Sequence, residues 1–277
     1  MAPRARLLLL APAGALMLVA FVLPILWLFR LSFAHSDAGV LVEDVSLTNY
    51  ARFFGERFYL AVLWRSVWVA ASVAVLAVCA AYPIALFLYR TRSRWRGVLA
   101  VLTIAPLLVS SVVRTFGWVI ILGDSGWVNS VLRALGLTSA PVRLMNNAGG
   151  VLIGLTEIMM PTTALALLAG FARLDPTLEE AARTLGASPF RCFLRVTLPL
   201  SLPGIAVGLV VTFVLAISSF ITPTLLGGGR VALLAQQIYE EALETLDWPF
   251  AAAAAIILLV LFGAVLIGAE RANARAS

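Results

Sequence analysis

Six runs of apolar residues, each long enough to cross a lipid bilayer, dominate this sequence. A helix needs about 20 apolar residues to span a hydrocarbon core about 30 Å thick. Qualifying runs extend from Leu7 to Phe29, Leu60 to Tyr89, Val98 to Leu122, Gly149 to Phe171, Pro203 to Ile221 and Pro249 to Ala269. The expected fold is all-α: an integral membrane protein of about six transmembrane helices, forming a single domain over residues 1–277. Composition agrees, with 62% hydrophobic and 12% charged residues and a mean hydropathy of +1.01, where soluble domains carry roughly a quarter charged residues. Arg4 and Arg6 precede the first run as in a secretory signal, but the run is too long and lacks a small-residue cleavage site, so it reads as a helix.

All 20 basic residues are arginine. A phosphate-binding P-loop needs a lysine to reach the β and γ phosphates, so any ATP chemistry must reside on a partner. The pI of 10.1 does not indicate a nucleic-acid partner, because the arginines are scattered between apolar runs rather than gathered in one basic region. Their placement sets an orientation instead. With both termini cytoplasmic, Arg4, Arg6, Arg90, Arg92, Arg94, Arg96, Arg173, Arg183, Arg191, Arg195, Arg271 and Arg275 lie inside. Only Arg52, Arg57, Arg133, Arg143 and Arg230 lie outside, which satisfies the positive-inside bias. Trp118, Trp127 and Trp248 then fall near outer ends of spans, where indole rings prefer to sit. Two amphipathic stretches in the outer connections, Trp127 to Leu135 and Gln236 to Glu244, read as interfacial or re-entrant elements.

Several chemistries are excluded by residue inventory. His35 is the single histidine, so histidine triads and multi-histidine metal sites are unavailable. Cys79, in an apolar run, and Cys192, in a polar loop, have no partner at a metal or disulfide spacing and are expected to be packing residues. No cofactor or metal is expected on this chain.

The connection between the fourth and fifth runs reads LDPTLEEAARTLGASPFRCFLRVTLPLSLPG from Leu174 to Gly204. Asp175 and Pro176 form an N-cap and first-turn pair, and Gly186 can close the helix in a left-handed conformation. Ser188 and Pro189 start a second helix, with Phe190, Phe193 and Leu194 on one face and Arg191 and Arg195 elsewhere, as on a membrane or partner surface. Ala181 and Ala182 make a small-residue surface that another protein's backbone can approach, with Glu180 and Arg183 at its rim. A DNA-binding helix-turn-helix is disfavoured, because about five residues separate this segment from a span on either side and leave no third helix.

The spacing Glu180-Ala181-Ala182, three residues, Gly186, nine residues, Val196, one residue, Leu198-Pro199 resembles the EAA loop of ABC importer permeases, with valine for the frequent isoleucine. The resemblance implies the type I importer fold and makes residues 172–200 the cytoplasmic coupling loop. Its helix would dock in a groove of an ATPase subunit, with Glu180, Ala181, Ala182, Arg183, Gly186, Leu198 and Pro199 as the coupling residues. Stretches SLTNYARFF (46–54), RTFGW (114–118), RVTLPLSLPGI (195–205) and FITPTLLGGGR (220–230) are similar to the spermidine/putrescine branch. That branch implies an ATPase dimer, a second permease, an extracytoplasmic solute-binding protein and a polyamine substrate. Branches for iron, sulfate and other small solutes share parts of the pattern. An ion-driven secondary transporter remains the rival class, opposed by the EAA loop and by the lack of an inverted repeat.

Two charges inside spans bear on the pathway, since each costs roughly 2.5–3.5 kcal/mol at a helix centre. Arg114 and Glu157 each fall eight residues from the outer end of their runs, roughly 12 Å deep at about 1.5 Å per residue. Equal depth allows either an ion pair locking the third and fourth spans or a contact from Glu157 to a cationic substrate. Pro161, Ser218, Ser219, Thr222 and Pro223 are polar or helix-interrupting at membrane depth, and line the pathway unless their hydroxyls bond back to their own helices. The outer side carries Asp37, Glu43, Asp44, Glu56, Asp124, Glu240, Glu241, Glu244 and Asp247. These acids either attract a polycation or merely reflect the inward bias of arginine.

Overall fold

The computed structural model describes residues 3–37, 40–42, 45–91, 93–172 and 174–276. Glu43, Asp44, Arg92 and Arg173 lie outside the described residues, as do the side chains of Arg4, Arg6, Asp37 and Arg275. The chain divides into two units, Met1–Leu60 with Gln237–Leu261 and Ala61–Gln236 with Phe262–Ser277. Five helices are long and apolar enough to cross a membrane, and a sixth crossing is a bent pair of helices.

In the smaller unit, α1 (Pro3–Leu31) presents its apolar window Gly14–Leu31 entirely to the surroundings. After it, strands β1 (His35–Asp37) and β2 (Val40–Val42) pair antiparallel, with His35 opposite Val42. Helix α2 (Thr48–Gly55) carries the SLTNYARFF stretch, and its residues act as anchors. The Asn49 amide donates to the carbonyls of Ser32 and Ala34 at 3.0 and 2.7 Å, clasping the chain where it leaves α1. Phe53 is fully buried. Arg52 gathers Asp247 (3.0 Å), Glu56 (3.4 Å) and Glu241 (3.9 Å), and its guanidinium lies 4.1 Å from the centroid of the Phe250 ring. Three of the acids that suggested a cation-attracting outer mouth are therefore committed to one arginine.

The larger unit holds most of α3 (Arg57–Arg90), then α4 (Trp95–Ile104) with a 3-10 turn over Ala105–Leu108, α5 (Ser111–Leu122) and α6 (Trp127–Ala134). It continues through α7 (Ala148–Phe171), α8 (Pro176–Thr184), α9 (Pro189–Cys192), a π-helical turn (Phe193–Thr197), α10 (Leu198–Ile217) and α11 (Ile221–Gly227). Helices α12 (Leu234–Leu243) and α13 (Trp248–Ala276) run across the unit boundary.

The third run is not one straight helix: Val109 and Ser110 are extended, with ψ of 133°, and the segments Trp95–Leu108 and Ser111–Ala134 bend by 100°. The second loop helix is not a separate surface helix, and the fifth span does not begin at Pro203 or reach Ile221. Pro189 to Ile217 is continuously helical, and a break precedes α11. Pro199 has no N–H for the Arg195 carbonyl and its ring crowds the preceding turn. The turn widens into π-helix at that point instead of ending. Cys192, expected in a polar loop, is buried within this helical stretch.

Helix α7 is the centre of the larger unit, with half of its span buried. It meets α10 across two glycines, so close that a Cβ on Gly170 would stand 2.4 Å from the Gly204 Cα. Small residues permit this approach where lipid offers no hydrophobic drive for association. Thr163 and Thr212 hydrogen-bond across the same interface at 2.7 Å. Ala81 and Ala85 of α3 pack with Ala164, Leu167 and Phe171 of α7 in a buried cluster.

Candidate functional site

The segment with the EAA spacing folds as its sequence dictates. Asp175 caps α8 by accepting from the Thr177 amide at 2.9 Å and the Thr177 hydroxyl at 2.7 Å, and these bonds hold its carboxyl below the usual range. At the other end Gly186 has φ +82°. Its amide donates to the Arg183 carbonyl at 2.9 Å, and the Ala187 amide donates to the Ala182 carbonyl at 3.1 Å. That pair of bonds is a Schellman termination, which requires the left-handed residue. Ser188 then accepts from the Arg191 amide and starts the next helix.

Helix α8 has two faces. Glu180, Ala181, Arg183 and Leu185 are exposed, Leu185 at 88%, while Ala182 and Glu179 turn partly inward. Gly186 lies at the exposed turn. Leu198 and Pro199 sit apart from this face, in the first turn of α10.

On the inward face lies a contact that the sequence reading missed. Glu179 forms an ion pair with Arg90 at the end of α3 and accepts from the Thr197 hydroxyl at 2.6 Å. Arg90 also donates to the Thr197 hydroxyl at 2.9 Å, closing a three-residue knot. Burial raises the Glu179 carboxyl's pKa, but the Thr197 and Arg90 hydrogen bonds and the charges of Arg90 and Arg183 outweigh it and leave the value lowered. Tyr89 donates to the Leu174 carbonyl at 2.9 Å, and Tyr82 hydrogen-bonds Ser201 at 3.0 Å, so the last turns of α3 hold both ends of the loop. The only sequence signal for the knot was a second acid beside Glu180. Its partners are 89 and 18 residues away, beyond any helical spacing.

Within the spans, Arg114 and Glu157 are paired at 2.7 Å. Arg114 does more than balance charge. It donates to the Pro106 carbonyl at 3.2 Å beside the break in the third span, and to the Glu157 carbonyl at 3.0 Å. The second acceptor is the group that Pro161, lacking an N–H, leaves without its helical donor. One arginine thus serves backbone oxygens at two helix defects, which lipid cannot do. The other Glu157 oxygen accepts from the Trp118 indole at 3.1 Å. Arg114's side chain is 11% exposed and Glu157's 33%. Arg65, half-buried within α3, is a further intraspan charge that the sequence reading passed over.

The other pathway candidates separate. Ser218 is exposed, and its hydroxyl bonds back to the carbonyls of Val214 and Leu215. Ser219 is half-buried at the break before α11. Thr222 is buried and bonded at 2.9 Å to Thr115, where it joins α11 to α5 rather than facing open space.

Residues 9–276 match the family described as binding-protein-dependent transport system inner membrane component. The spermidine/putrescine transport system permease protein PotB of Haemophilus influenzae is 34% identical over 258 residues, 92% of this chain and 90% of that protein. PotB of Escherichia coli is 34% identical over 261 residues, covering 94% of each chain. In fold, the chain resembles the bacterial alginate ABC transporter solved with an alginate pentasaccharide-bound periplasmic protein, with a TM-score of 0.79 at 19% identity, covering 96% of this chain and 93% of that one. The MetNI methionine ABC transporter gives a TM-score of 0.57 at 16% identity, covering 80% of this chain and 99% of that one. The chain belongs to the binding-protein-dependent transport system inner membrane component family, and it is a multi-pass inner-membrane permease subunit of an ABC importer rather than an enzyme.

Proposed function

We propose that this permease imports a polyamine such as spermidine or putrescine, delivered by an extracytoplasmic solute-binding protein and driven by ATP hydrolysed on a partner ATPase dimer. The observation that carries the coupling half of this reading is the outward face of α8. A helix capped firmly at both ends displays Glu180, Ala181, Arg183 and Leu185 without covering them. Residues 172–200 serve as the coupling loop, in which Gly186 sets the turn and Ala182 lets the helix lie close to its support. Leu198 and Pro199 lead the docked loop into α10. Both termini face the cytoplasm in this arrangement. An ATPase dimer presents two docking grooves and this chain has one loop, so a second permease, homologous or identical, completes the assembly.

Support for the substrate comes from the spermidine/putrescine permeases that are 34–35% identical over 92–94% of this chain. Glu157 is the pathway residue for a cationic solute. Its carboxylate is anchored by Arg114 and Trp118 yet a third of the side chain stays exposed. Ser219, half-buried at the break before α11, lies on the same route. The test is ATP-dependent uptake of radiolabelled spermidine by the complex reconstituted in liposomes. Uptake competed by unlabelled putrescine and reduced by Glu157→Gln, in complexes that still assemble, supports the reading. An intact complex that hydrolyses ATP but takes up no polyamine contradicts it.

A further inference from the structure

Helix α8 meets the rest of the larger unit through few polar contacts, and the strongest converge on one side chain. The Glu179 carboxylate takes the Arg90 guanidinium from the last residue of α3 and the Thr197 hydroxyl from the turn that opens into α10. Thr197 is 1% exposed. Its hydroxyl donates to Glu179 and accepts from Arg90, so the three side chains close a triangle of contacts. The knot sits at the only π-helical turn among the described residues, Phe193–Thr197. A π-turn has one extra residue per turn and looser packing, and such turns recur at functional sites. Here it lies between a helix displayed on the surface and a span packed glycine to glycine against α7.

We infer that Glu179 is the positioning residue through which a displacement of α8 is delivered jointly to α3 and α10, with the π-helical turn as the compliant element. The inference rests on the reading that an ATPase docks on the outward face of α8. That face and the knot use different residues: Glu180, Ala181, Arg183 and Leu185 are turned outward, whereas Glu179 is turned inward. Docking and transmission are therefore separable by mutation. Without the knot, α8 remains joined to the helix of α10 by the chain through Ser188 and by the Cys192 thiol on the Glu179 carbonyl at 3.9 Å, and its loop remains joined to α3 by the Tyr89 hydroxyl on the Leu174 carbonyl. These contacts hold the loop in place without engaging the Glu179 carboxylate.

The test uses the whole importer, this chain with its ATPase, second permease and binding protein, reconstituted in liposomes. Three quantities are read: the ATPase that co-purifies, ATP hydrolysis, and solute imported per ATP hydrolysed. For Glu179→Gln and, separately, Thr197→Val, ATPase recovery stays unchanged and import per ATP falls about five-fold or more, the lower range of coupling between linked sites. The charge-exchanged double variant Arg90→Glu with Glu179→Arg recovers much of the loss. Losses of import and hydrolysis that merely track a smaller amount of assembled complex would show the knot to be scaffold and overturn the inference, as would an unchanged import per ATP in both variants. If no ATPase accompanies even the unmodified chain, the docking reading fails instead, independently of the knot.

Discussion

Arg114–Glu157 and Arg90–Glu179 are both carboxylate–guanidinium pairs that tie helices of the larger unit together, yet their surroundings make them different devices. In the first the arginine is enclosed, its side chain 11% exposed and its Nε buried without a hydrogen-bond partner among the described residues, while Glu157 is 33% exposed. The second joins α8 to the end of α3, at 37% and 19% exposure. Breaking the first pair leaves a charge at membrane depth without its main partner, whereas a pair exposed at the protein surface is screened and adds little stability. The enclosed pair therefore holds the fold, and the exposed pair is better suited to transmitting a position than to holding one.

This contrast predicts a graded series. Arg114→Ala strands the Glu157 carboxylate and leaves the Glu157 carbonyl without a donor, and should destabilise the purified chain by about 3–5 kcal/mol. Thermal unfolding in detergent reads the loss, and combining it with Glu157→Gln should restore part of it. A small loss for Arg114→Ala alone would break the contrast. Gly170→Ala places a Cβ 2.4 Å from the Gly204 Cα, backbone against backbone, and should cost about 1–3 kcal/mol as overpacking does. Because α7 carries Glu157 and α10 begins at the knot, import per ATP in this variant shows whether the two devices are mechanically joined.

Glu179→Gln should cost at most about 1 kcal/mol, as expected of a screened pair. Its pH signature is specific. The folded-state pKa lies below the unfolded value of about 4.3, so the contribution is fully present above that value. It is lost as pH falls through the folded value. The stability difference between the unmodified chain and the variant should be flat near neutrality and should shrink below about pH 4. Ser218→Ala, whose hydroxyl bonds only within its own helix, should change stability by less than about 0.5 kcal/mol. A change in spermidine KM with stability intact would place that hydroxyl on the pathway.

What the sequence made legible was local. Asp175-Pro176, Gly186 and Ser188-Pro189 marked the ends of α8 and the start of the next helix, because caps act over three or four residues. Arg114 and Glu157 could be matched because intraspan charges are rare and their depths agreed. The bend at Val109-Ser110 was hidden, since an apolar run looks the same whether or not it breaks, and the clue was an arginine placed to serve a freed carbonyl. Pro203 read as the start of the fifth span, but a π-turn accommodates Pro199 and packing against α7 carries one helix through both prolines. The Glu179 knot depends on residues from three separate elements, and no period in the chain relates Arg90, Glu179 and Thr197. In the smaller unit three of the acids read as an attractive outer surface, Glu56, Glu241 and Asp247, are gathered by Arg52, which a charge count cannot show.

The central claim is that the turn closed by Gly186 presents α8 to an ATPase. The most direct measurement is a pull-down of the tagged chain from its native membranes under gentle extraction, beside a Gly186→Pro variant whose fixed φ near −65° cannot adopt the observed +82°. The account predicts that an ABC ATPase accompanies the unmodified chain and is lost from a variant that still inserts in the membrane. An ATPase that never appears, or one retained undiminished by the variant, would contradict it.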